Sequence, residues 1–376
     1  MHWFVHGAWL REFKGVMMKT VAGLVASVLF AVSAPSGAME LLSPKLMDAP
    51  RSYKIEVLQV TDIAPYQESL NGFLKTLRDA GIVQGENLVV NRVKIDFDIE
   101  NGGFWDRMAL LRRIKDEAER ITISRPDLVL TIGTPATKYA RRAFEIARIP
   151  AVFTAVANPM DAGASSLVDG GAGMTGSTLH VEMADSMKMV HDIFPAVSRI
   201  GMVHTDDENG INHVESARSN GEKFGIVVTA KQVNKQDSIV VPLKEMYNDG
   251  KGVQMFGVPL DTYYAMRKFE PTNDLSDFAI ERKIPVTSFA LVPVPGAMLY
   301  VGADFGLVGS LAGTQAVKIL RFNKKADVLP ILRQETPTVL IDPKRVAELK
   351  VNIPSSILER KTQRPDGYWE IAADTK

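Results

Sequence analysis

A strand-to-helix turn at Gly133, Thr134 and Pro135 carries the clearest chemistry in this chain. It follows the buried-strand pattern of Asp127–Ile132 and precedes a helix-like segment. Thr134 is predicted to be the N-cap of that helix and Pro135 its first helical residue, because a hydroxyl accepts from free N–H groups and proline has no N–H to lose. Backbone N–H groups and a hydroxyl at the carboxyl end of a strand suit an anionic group such as a ligand carboxylate.

Acidic and aromatic residues follow other strand-like segments and could meet a ligand at the same sheet edges. Asp206, Asp207 and Glu208 form either a solvated loop or a contact with a ligand amine or an opposing lobe. Asp261 and Asp304 either touch ligand or cap a helix, since aspartate is a good N-cap. Aromatic side chains at these positions either stack on a ligand with an apolar part or pack in the core. They are Tyr66, Tyr263, Tyr264, Phe289 and Phe305.

Enzyme signatures are absent from the sequence. No G-x-G-x-x-G follows the first strand, and no P-loop or G-x-S-x-G elbow occurs. The chain has 0 cysteines, which excludes disulfides, cysteine–zinc sites, a cysteine nucleophile and a lipid-modified cysteine. His180, His191, His204 and His213 lack H-x-H or H-x-x-x-H spacing, so we interpret them as surface or packing residues rather than metal ligands. We expect no catalysis, no cofactor and no metal ion.

Strand-like and helix-like segments alternate from about residue 53 onward, which predicts parallel sheets with helices on both faces. The predicted strands are Ile55–Val60, Leu88–Val93, Asp127–Ile132, Ala151–Val156, Arg199–His204, Ile226–Ala230, Val253–Val258, Pro285–Phe289 and Gly296–Gly302. Apolar spacing predicts helices around Leu70–Leu77, Met108–Ile121, Pro135–Ala147, Met183–Ile193, Val214–Phe224, Val240–Asn248, Thr262–Arg282 and Gly306–Phe322. A glycine-rich break at Asp169–Gly176 has no lysine partner, so we interpret it as a flexible crossover between two halves.

The amino-terminal residues are typical of a secretory signal peptide. A charged start at Met17–Thr20 is followed by an apolar core of 12 residues, Val21–Val32, and by small residues at Ser36–Ala38. A membrane span needs roughly 20 apolar residues, so cleavage is favoured over anchoring. We expect residues 1–38 to be removed and the mature chain to begin near Met39, with the true start at Met17.

The balanced composition argues against two classes of partner. The formal net charge is +0, with 46% hydrophobic and 23% charged residues. This balance gives no reason to expect nucleic acid or an anionic membrane as partner. It is typical of an ordinary globular chain, and its length suits two domains.

Several segments together resemble the ABC-transporter substrate-binding family, which includes bacterial binders of tryptophan and other aromatic amino acids. The resemblance covers roughly Ile55 to Leu349. Its carriers are Gly72-Phe73 through Leu77, Ala80-Gly81, Gly85–Asn87, Pro126–Leu128, Thr131–Ala136, Ile149–Val156, Asn158-Pro159, Met174–Gly176, Pro195, Arg199–Val203 and Ile284–Val286. Members usually have Asp-Pro where this chain has Asn158-Pro159, and many are lipoproteins, whereas this chain lacks the cysteine. These departures leave the ligand open.

The resemblance implies an α/β fold of the type I periplasmic binding protein class. Two Rossmann-like lobes with parallel sheets would be joined by a multi-strand hinge, with the ligand in the cleft. We expect lobe I at residues 51–160 plus 292–323, lobe II at residues 161–291 plus 324–358, and a C-terminal tail at residues 359–376.

We therefore expect an exported, monomeric, periplasmic protein that passes a small organic ligand, an amino acid or another carboxylate, to an ABC permease. Ligand would be contacted by loops at strand ends. The predicted ligand-binding residues are Thr61, Asp62, Tyr66, Thr134, Asn158, Asp207, Asn212, Asp261, Thr262, Phe289 and Asp304. A periplasmic sensor module for a membrane receptor is the alternative reading, and an α/β enzyme is a more distant one.

Overall fold

The structure is a computed structural model that describes residues 51–95 and 104–373. The predicted signal peptide, its cleavage point and the start at Met17 lie outside the described residues. The strands are β1 Tyr53–Gln59, β2 Leu88–Lys94, β3 Leu128–Ile132, β4 Ala151–Val156, β5 Met174–Thr178, β6 Arg199–His204, β7 Val227–Gln232, β8 Met255–Val258, β9 Val286–Ser288, β10 Leu299–Gly302, β11 Leu332–Arg333, β12 Thr338–Ile341, β13 Lys361–Gln363 and β14 Trp369–Ile371. The α-helices are α1 Ala64–Asp79, α2 Phe104–Ser124, α3 Thr134–Ala147, α4 Met183–Ile193, α5 Glu208–Gly221, α6 Val240–Tyr247, α7 Glu270–Arg282, α8 Phe305–Phe322, α9 Pro343–Leu349 and α10 Ser355–Leu358.

The strands form two sheets, each the centre of one lobe. The first sheet has the order β11-β5-β4-β3-β1-β2, and its strand pairs are parallel. The second has the order β13-β14-β12-β10-β9-β8-β6-β7. It is parallel from β7 to β10 and antiparallel beyond β10. Apolar residues cover both faces of each parallel portion, which confirms the predicted α/β architecture.

Helices bury their apolar stripes on both faces of the first sheet. On one face α1 and α8 contribute Phe73, Leu77 and Ala312 to a core with β1 and β3. On the other face α2 and α3 contribute Ile114 and Phe144. The second sheet repeats this arrangement, with α4 and α5 on one face and α6 and α7 on the other. Burial of these stripes provides the main driving force for each lobe.

The chain crosses between the lobes three times, at residues 179–182, 303–304 and 334–337. Side chains tie these crossing segments together. Arg333 Nη1 donates to Glu182 Oε1 over 2.8 Å, and the Asp304 amide donates to Gln334 Oε1 over 2.9 Å. The crossings therefore form the multi-strand hinge that the sequence resemblance implies.

The glycine-rich break contains a strand rather than only a flexible crossover. β5 is fully buried and pairs with β4 in the first sheet. A Cβ on Gly176 would stand 2.2 Å from the Phe153 carbonyl oxygen, so the glycine permits this close pairing. The interpretation of Asp169–Gly176 as a crossover is wrong for its last three residues.

Sheet membership also divides the chain differently from the expected lobe boundaries. β5 belongs to the first sheet although residues 161–291 were expected in lobe II, and β10 belongs to the second although residues 292–323 were expected in lobe I. β11 returns to the first sheet. The expected tail at residues 359–376 contains the β13–β14 hairpin, which extends the second sheet. Strand pairing between remote segments sets these boundaries.

The predicted helix Thr262–Arg282 is broken near its start. Thr262–Ala265 and Arg267–Phe269 are single 3₁₀ turns, separated by extended Met266, and α7 begins only at Glu270. Pro271 stands in the first turn of α7. Proline is tolerated there but cannot donate to a preceding turn, so the helix starts close to it.

Candidate functional site

The start of α3 forms one wall of the candidate site. Its N-cap is Gly133, whose φ of 87° suits glycine. The prediction that Thr134 caps the helix is wrong, because Thr134 already lies in the first turn and no side chain caps it. The buried Thr137 hydroxyl instead donates to the Gly133 carbonyl over 2.9 Å. Within the described residues, the half-buried Thr134 hydroxyl has no hydrogen-bond partner.

Tyr66 covers this helix start from α1. A Cβ on Gly133 would stand 2.3 Å from the Tyr66 hydroxyl, so the phenol lies directly against the turn. Burial, with a smaller contribution from the Asp207 carboxylate, raises the pKa of Tyr66 to about 12, against a hydrogen bond with Thr61 that lowers it. The phenol is therefore protonated at neutral pH and can donate. Tyr66 from lobe I thus lies near Asp207 from lobe II, with Thr61 as its hydrogen-bond partner.

Asp207 begins the opposite wall as the N-cap of α5. Its Oδ1 accepts from the Asn209 amide over 2.9 Å, and its Oδ2 accepts from the Thr262 hydroxyl over 2.7 Å. Oδ2 also accepts from the Thr262 amide over 3.4 Å. A carboxylate offers about four lone-pair sites, so these three bonds leave capacity for a ligand ammonium. The structure brings the predicted residues Asp207 and Thr262 together.

A cleft of about 550 Å³ opens beside these residues, between α3 and α5. It is lined by Lys138, Arg141, Met160, Asp161, Ala162, Gly163, Glu208, Ile211 and Asn212. Lys138 Nζ lies 3.8 Å from Glu208 Oε2, so an ion pair joins the two walls. Asn212 is the predicted ligand residue in this lining, where it lies exposed on α5.

Asn158 shapes the edge of this cleft just after β4. Its Oδ1 accepts from the Met160 amide over 3.1 Å, and its side chain also hydrogen-bonds Asp161. Burial raises the pKa of Asp161, and the nearby Glu208 carboxylate raises it further, while Lys138 and Asn158 lower it. The half-buried Asn158 therefore holds a turn that presents Asp161 to the cleft.

Asp62 is tied into ion pairs at the edge of the first sheet. Its carboxylate lies 2.5 Å from Lys94 Nζ and 3.6 Å from Arg92 Nη2, both on β2. The hydrogen bond from Lys94 holds the pKa of Asp62 below its usual value. These cations, rather than Thr61 and Tyr66, surround the Asp62 carboxylate.

Asp261 is built into the second lobe as a cap. It is only 8% exposed and accepts from the Thr205 amide over 2.7 Å, the Thr205 hydroxyl over 3.1 Å and the Tyr263 amide over 2.8 Å. Burial raises the pKa of this carboxyl group. Of the two alternatives for Asp261, the geometry favours the cap, here of the turn Thr262–Ala265.

Phe289 and Asp304 also have structural partners. Phe289 is 3% exposed and lies in the core of the second lobe, against Gly257. Asp304 is the N-cap of α8, where its Oδ1 accepts from the Leu307 amide over 2.8 Å. Asp304 thus caps the helix that follows the crossing segment at residues 303–304.

The sequence interpretation missed several cleft residues that helical spacing could have found. Lys138 lies four residues after Thr134, one turn further along α3. Ile211 lies three residues after Glu208 on α5. Once a helix start is assigned to a site, its next turn faces the same direction.

The histidines show no arrangement for metal binding in the part of the chain that the structure describes. His213 Nδ1 accepts from the Leu260 amide over 3.2 Å, which agrees with a packing role. Among residues 51–95 and 104–373, no three His, Asp or Glu side chains converge to hold a metal ion. Over the same residues no helix is long and apolar enough to span a bilayer.

Known proteins resemble this chain in sequence and in fold. A tyrosine-binding protein of Clostridioides difficile is 24% identical over 331 residues, covering 87% of this chain and 90% of the relative. The structure of an ABC domain in complex with L-Trp from Streptococcus pneumoniae superimposes with a TM-score of 0.66 at 23% identity, covering 82% of this chain and 98% of that one. A ligand-free, open substrate-binding protein with adhesive properties from Clostridium difficile has a TM-score of 0.65 at 22% identity, covering 81% and 96%.

The two solved structures share the fold, with two lobes of the type I periplasmic binding class. The family model of the ABC transporter substrate binding proteins matches residues 54–364, which include every cleft residue described above and all strands except β14 and the first residue of β1. The chain therefore belongs to the ABC transporter substrate-binding protein family.

Proposed function

We propose that this protein captures an α-amino acid in the cleft between its lobes for delivery to an ABC permease. The proposal rests on one observation: the two walls of the cleft, at the start of α3 and at the start of α5, offer groups of opposite chemistry. The α3 start offers the free Thr134 hydroxyl, while Asp207 faces Tyr66 from the other lobe. A helix start attracts a carboxylate, and a carboxylate attracts an ammonium group. A zwitterion presents both groups.

The cleft lining supports an apolar side chain on that ligand. Met160 and Ile211 supply apolar surface, since they are 50% and 36% exposed. One relative is a tyrosine-binding protein, and a second was solved in complex with L-Trp. We therefore propose L-tyrosine and L-tryptophan as the first ligands to test, with Tyr66 donating to the ligand and no catalysis.

Export belongs to the same proposal. Residues 17–38 have the pattern of a cleaved signal peptide, and a binding protein supplies its permease from outside the membrane. We propose a monomer in the periplasm that begins near Met39. Mass spectrometry of the secreted product tests the cleavage, and retention of residues 17–38 would contradict it.

Calorimetric titration of the purified protein tests ligand capture. We expect L-tyrosine or L-tryptophan to bind, and Asp207→Asn to weaken the affinity roughly ten- to a hundredfold through loss of the charge-assisted bond. Asparagine is also a good N-cap, so α5 should stay intact in this variant. Absence of binding by any of the 20 common amino acids would overturn the amino-acid proposal.

A further inference from the structure

The ion pair between Lys138 and Glu208 joins the two lobes across the cleft. Lys138 belongs to α3 in the first lobe, and Glu208 is the first residue of α5 in the second. Their charged atoms are 3.8 Å apart, at the mouth of the cleft. The pair lies one turn beyond Thr134 and one residue beyond Asp207, among the residues that line the cleft. Formation of this ion pair therefore depends on the distance between the two lobes.

Asp161 is a second carboxyl group near Lys138, and both residues line the cleft from the first lobe. Lys138 and Glu208 both act on the Asp161 carboxyl group, with opposite signs. Within the described residues, Asp161 Oδ2 is buried and accepts no hydrogen bond. Lys138 thus stands between one carboxylate of its own lobe and one of the opposite lobe. Because Lys138 and Asp161 belong to the same lobe, separation of the lobes would leave them together and would remove only Glu208.

We propose that Lys138 and Glu208 form a latch that favours the closed arrangement of the lobes and slows ligand release. The effect of the latch on ligand release rests on the proposed function. Its effect on the distance between the lobes does not, because it requires no ligand. Because the side chains are 39% and 72% exposed, the effect is modest, about two- to fivefold on the closed-to-open ratio.

The chain has 0 cysteines, so spin labels can be placed without background sites. Labels at Arg78→Cys on α1 and Glu222→Cys after α5 report the distance between lobes by pulsed electron paramagnetic resonance. Without any ligand, Lys138→Glu should shift the population toward longer distances, because it places a third carboxylate beside Asp161 and Glu208. Lys138→Glu combined with Glu208→Lys should restore the original distribution.

A matched control separates the latch from a general charge effect. Lys75 pairs with Asp79 on α1 over 2.6 Å, far from the cleft lining. Lys75→Glu makes the same change of charge and should leave the distances unchanged. The milder Glu208→Gln should give a smaller shift of the same sign, which keeps the test valid if Lys138→Glu folds poorly. Raising the salt to about 1 M should reproduce the loss of the latch, since the Debye length falls to roughly 3 Å.

Ligand kinetics supply the second readout. With L-tyrosine or L-tryptophan as probe, Lys138→Gln should raise the dissociation rate two- to fivefold and leave the association rate nearly unchanged. If neither probe binds, the proposed function fails while the distance measurement still decides the latch. Unchanged distances in Lys138→Glu, or no restoration by the charge swap, would overturn the latch itself.

Discussion

At the residue scale, Thr134 and Thr137 near the start of α3 allow an effect on ligand binding to be distinguished from an effect on folding. The Thr134 hydroxyl has no partner within the described residues, whereas the buried Thr137 hydroxyl lies 2.9 Å from both the Gly133 carbonyl and the Thr131 hydroxyl. Thr134→Val should therefore weaken ligand binding roughly ten- to a hundredfold, the value of a hydrogen bond to a charged group, without lowering the melting temperature.

Thr137→Val is the matched control for that prediction. It removes the hydrogen-bond partner of the buried Thr131 hydroxyl and should cost about 1–3 kcal/mol of stability. Titration calorimetry measures affinity, and thermal melting of the ligand-free protein measures folding. Unchanged affinity in Thr134→Val would remove Thr134 from the proposed carboxylate contact.

His213 predicts how stability depends on pH. Burial, with a smaller effect of His180, lowers its pKa to about 4, from an ordinary value near 6.5. The unfolded chain therefore binds a proton between these values while the folded protein does not. The stability contributed by neutral His213 is complete above pH 6.5 and is lost as the pH falls toward 4, by up to about 3 kcal/mol.

Urea unfolding between pH 4 and pH 7 measures this slope. His213→Gln keeps an acceptor for the Leu260 amide but cannot be protonated. The variant should show a flatter pH dependence of the unfolding free energy than the parent chain. Parallel curves would rule out His213 as the group responsible.

At the element scale, the packing of α8 on α1 depends on glycine. A Cβ on Gly309 would stand 1.9 Å from the Ser69 carbonyl oxygen, and backbone cannot move aside cheaply. Gly309→Ala should therefore cost about 3 kcal/mol or more, seen as a lower urea midpoint. Gly306→Ala is the control on the same helix, because its Cβ would meet the Asp304 side chain at 3.2 Å and the Glu68 carbonyl oxygen only at 4.0 Å. Equal losses in the two variants would contradict the packing argument.

The C-terminal hairpin is a second element-scale prediction. Ile371 on β14 is 3% exposed and belongs to the core of the second lobe, where β14 pairs with β12. A chain that ends at Leu358 should therefore lose several kcal/mol of stability, since burial of one large aliphatic side chain alone contributes about 1.5–3 kcal/mol. Thr362→Ala on exposed β13 should have little effect. Full stability of the shortened chain would contradict this prediction and would show that the segment after Leu358 contributes little to folding.

At the scale of the whole molecule, three crossing segments allow the lobes to rotate about a hinge. Saturating L-tyrosine or L-tryptophan should lower the radius of gyration in small-angle scattering, because the ligand bridges walls from both lobes. An amino acid that shows no binding by calorimetry is the control. Binding without any change in scattering would contradict a hinge mechanism.

Much of the fold followed from local sequence pattern. The predicted α4 at Met183–Ile193 and β6 at Arg199–His204 match the structure at both ends. Hydrophobic periodicity is a local property, so a single segment is enough to predict it. The predicted site rests on the same local pattern, because carboxyl ends of parallel strands meet at one edge whatever the details of packing, and it stays a prediction.

The tertiary structure decided what local pattern left open. A carboxylate after a strand can cap a helix or touch a ligand, and Asp261 became a cap only because Thr205 and Tyr263 surround it. β5 was missed because its pairing depends on the contact between Gly176 and Phe153. The ion pair of Lys138 with Glu208 joins helices of different lobes, and no local pattern encodes such a contact. The sequence alone thus determined the elements and the family resemblance, whereas contacts between remote segments decided the strand order, the lobe boundaries and the partner of each charge.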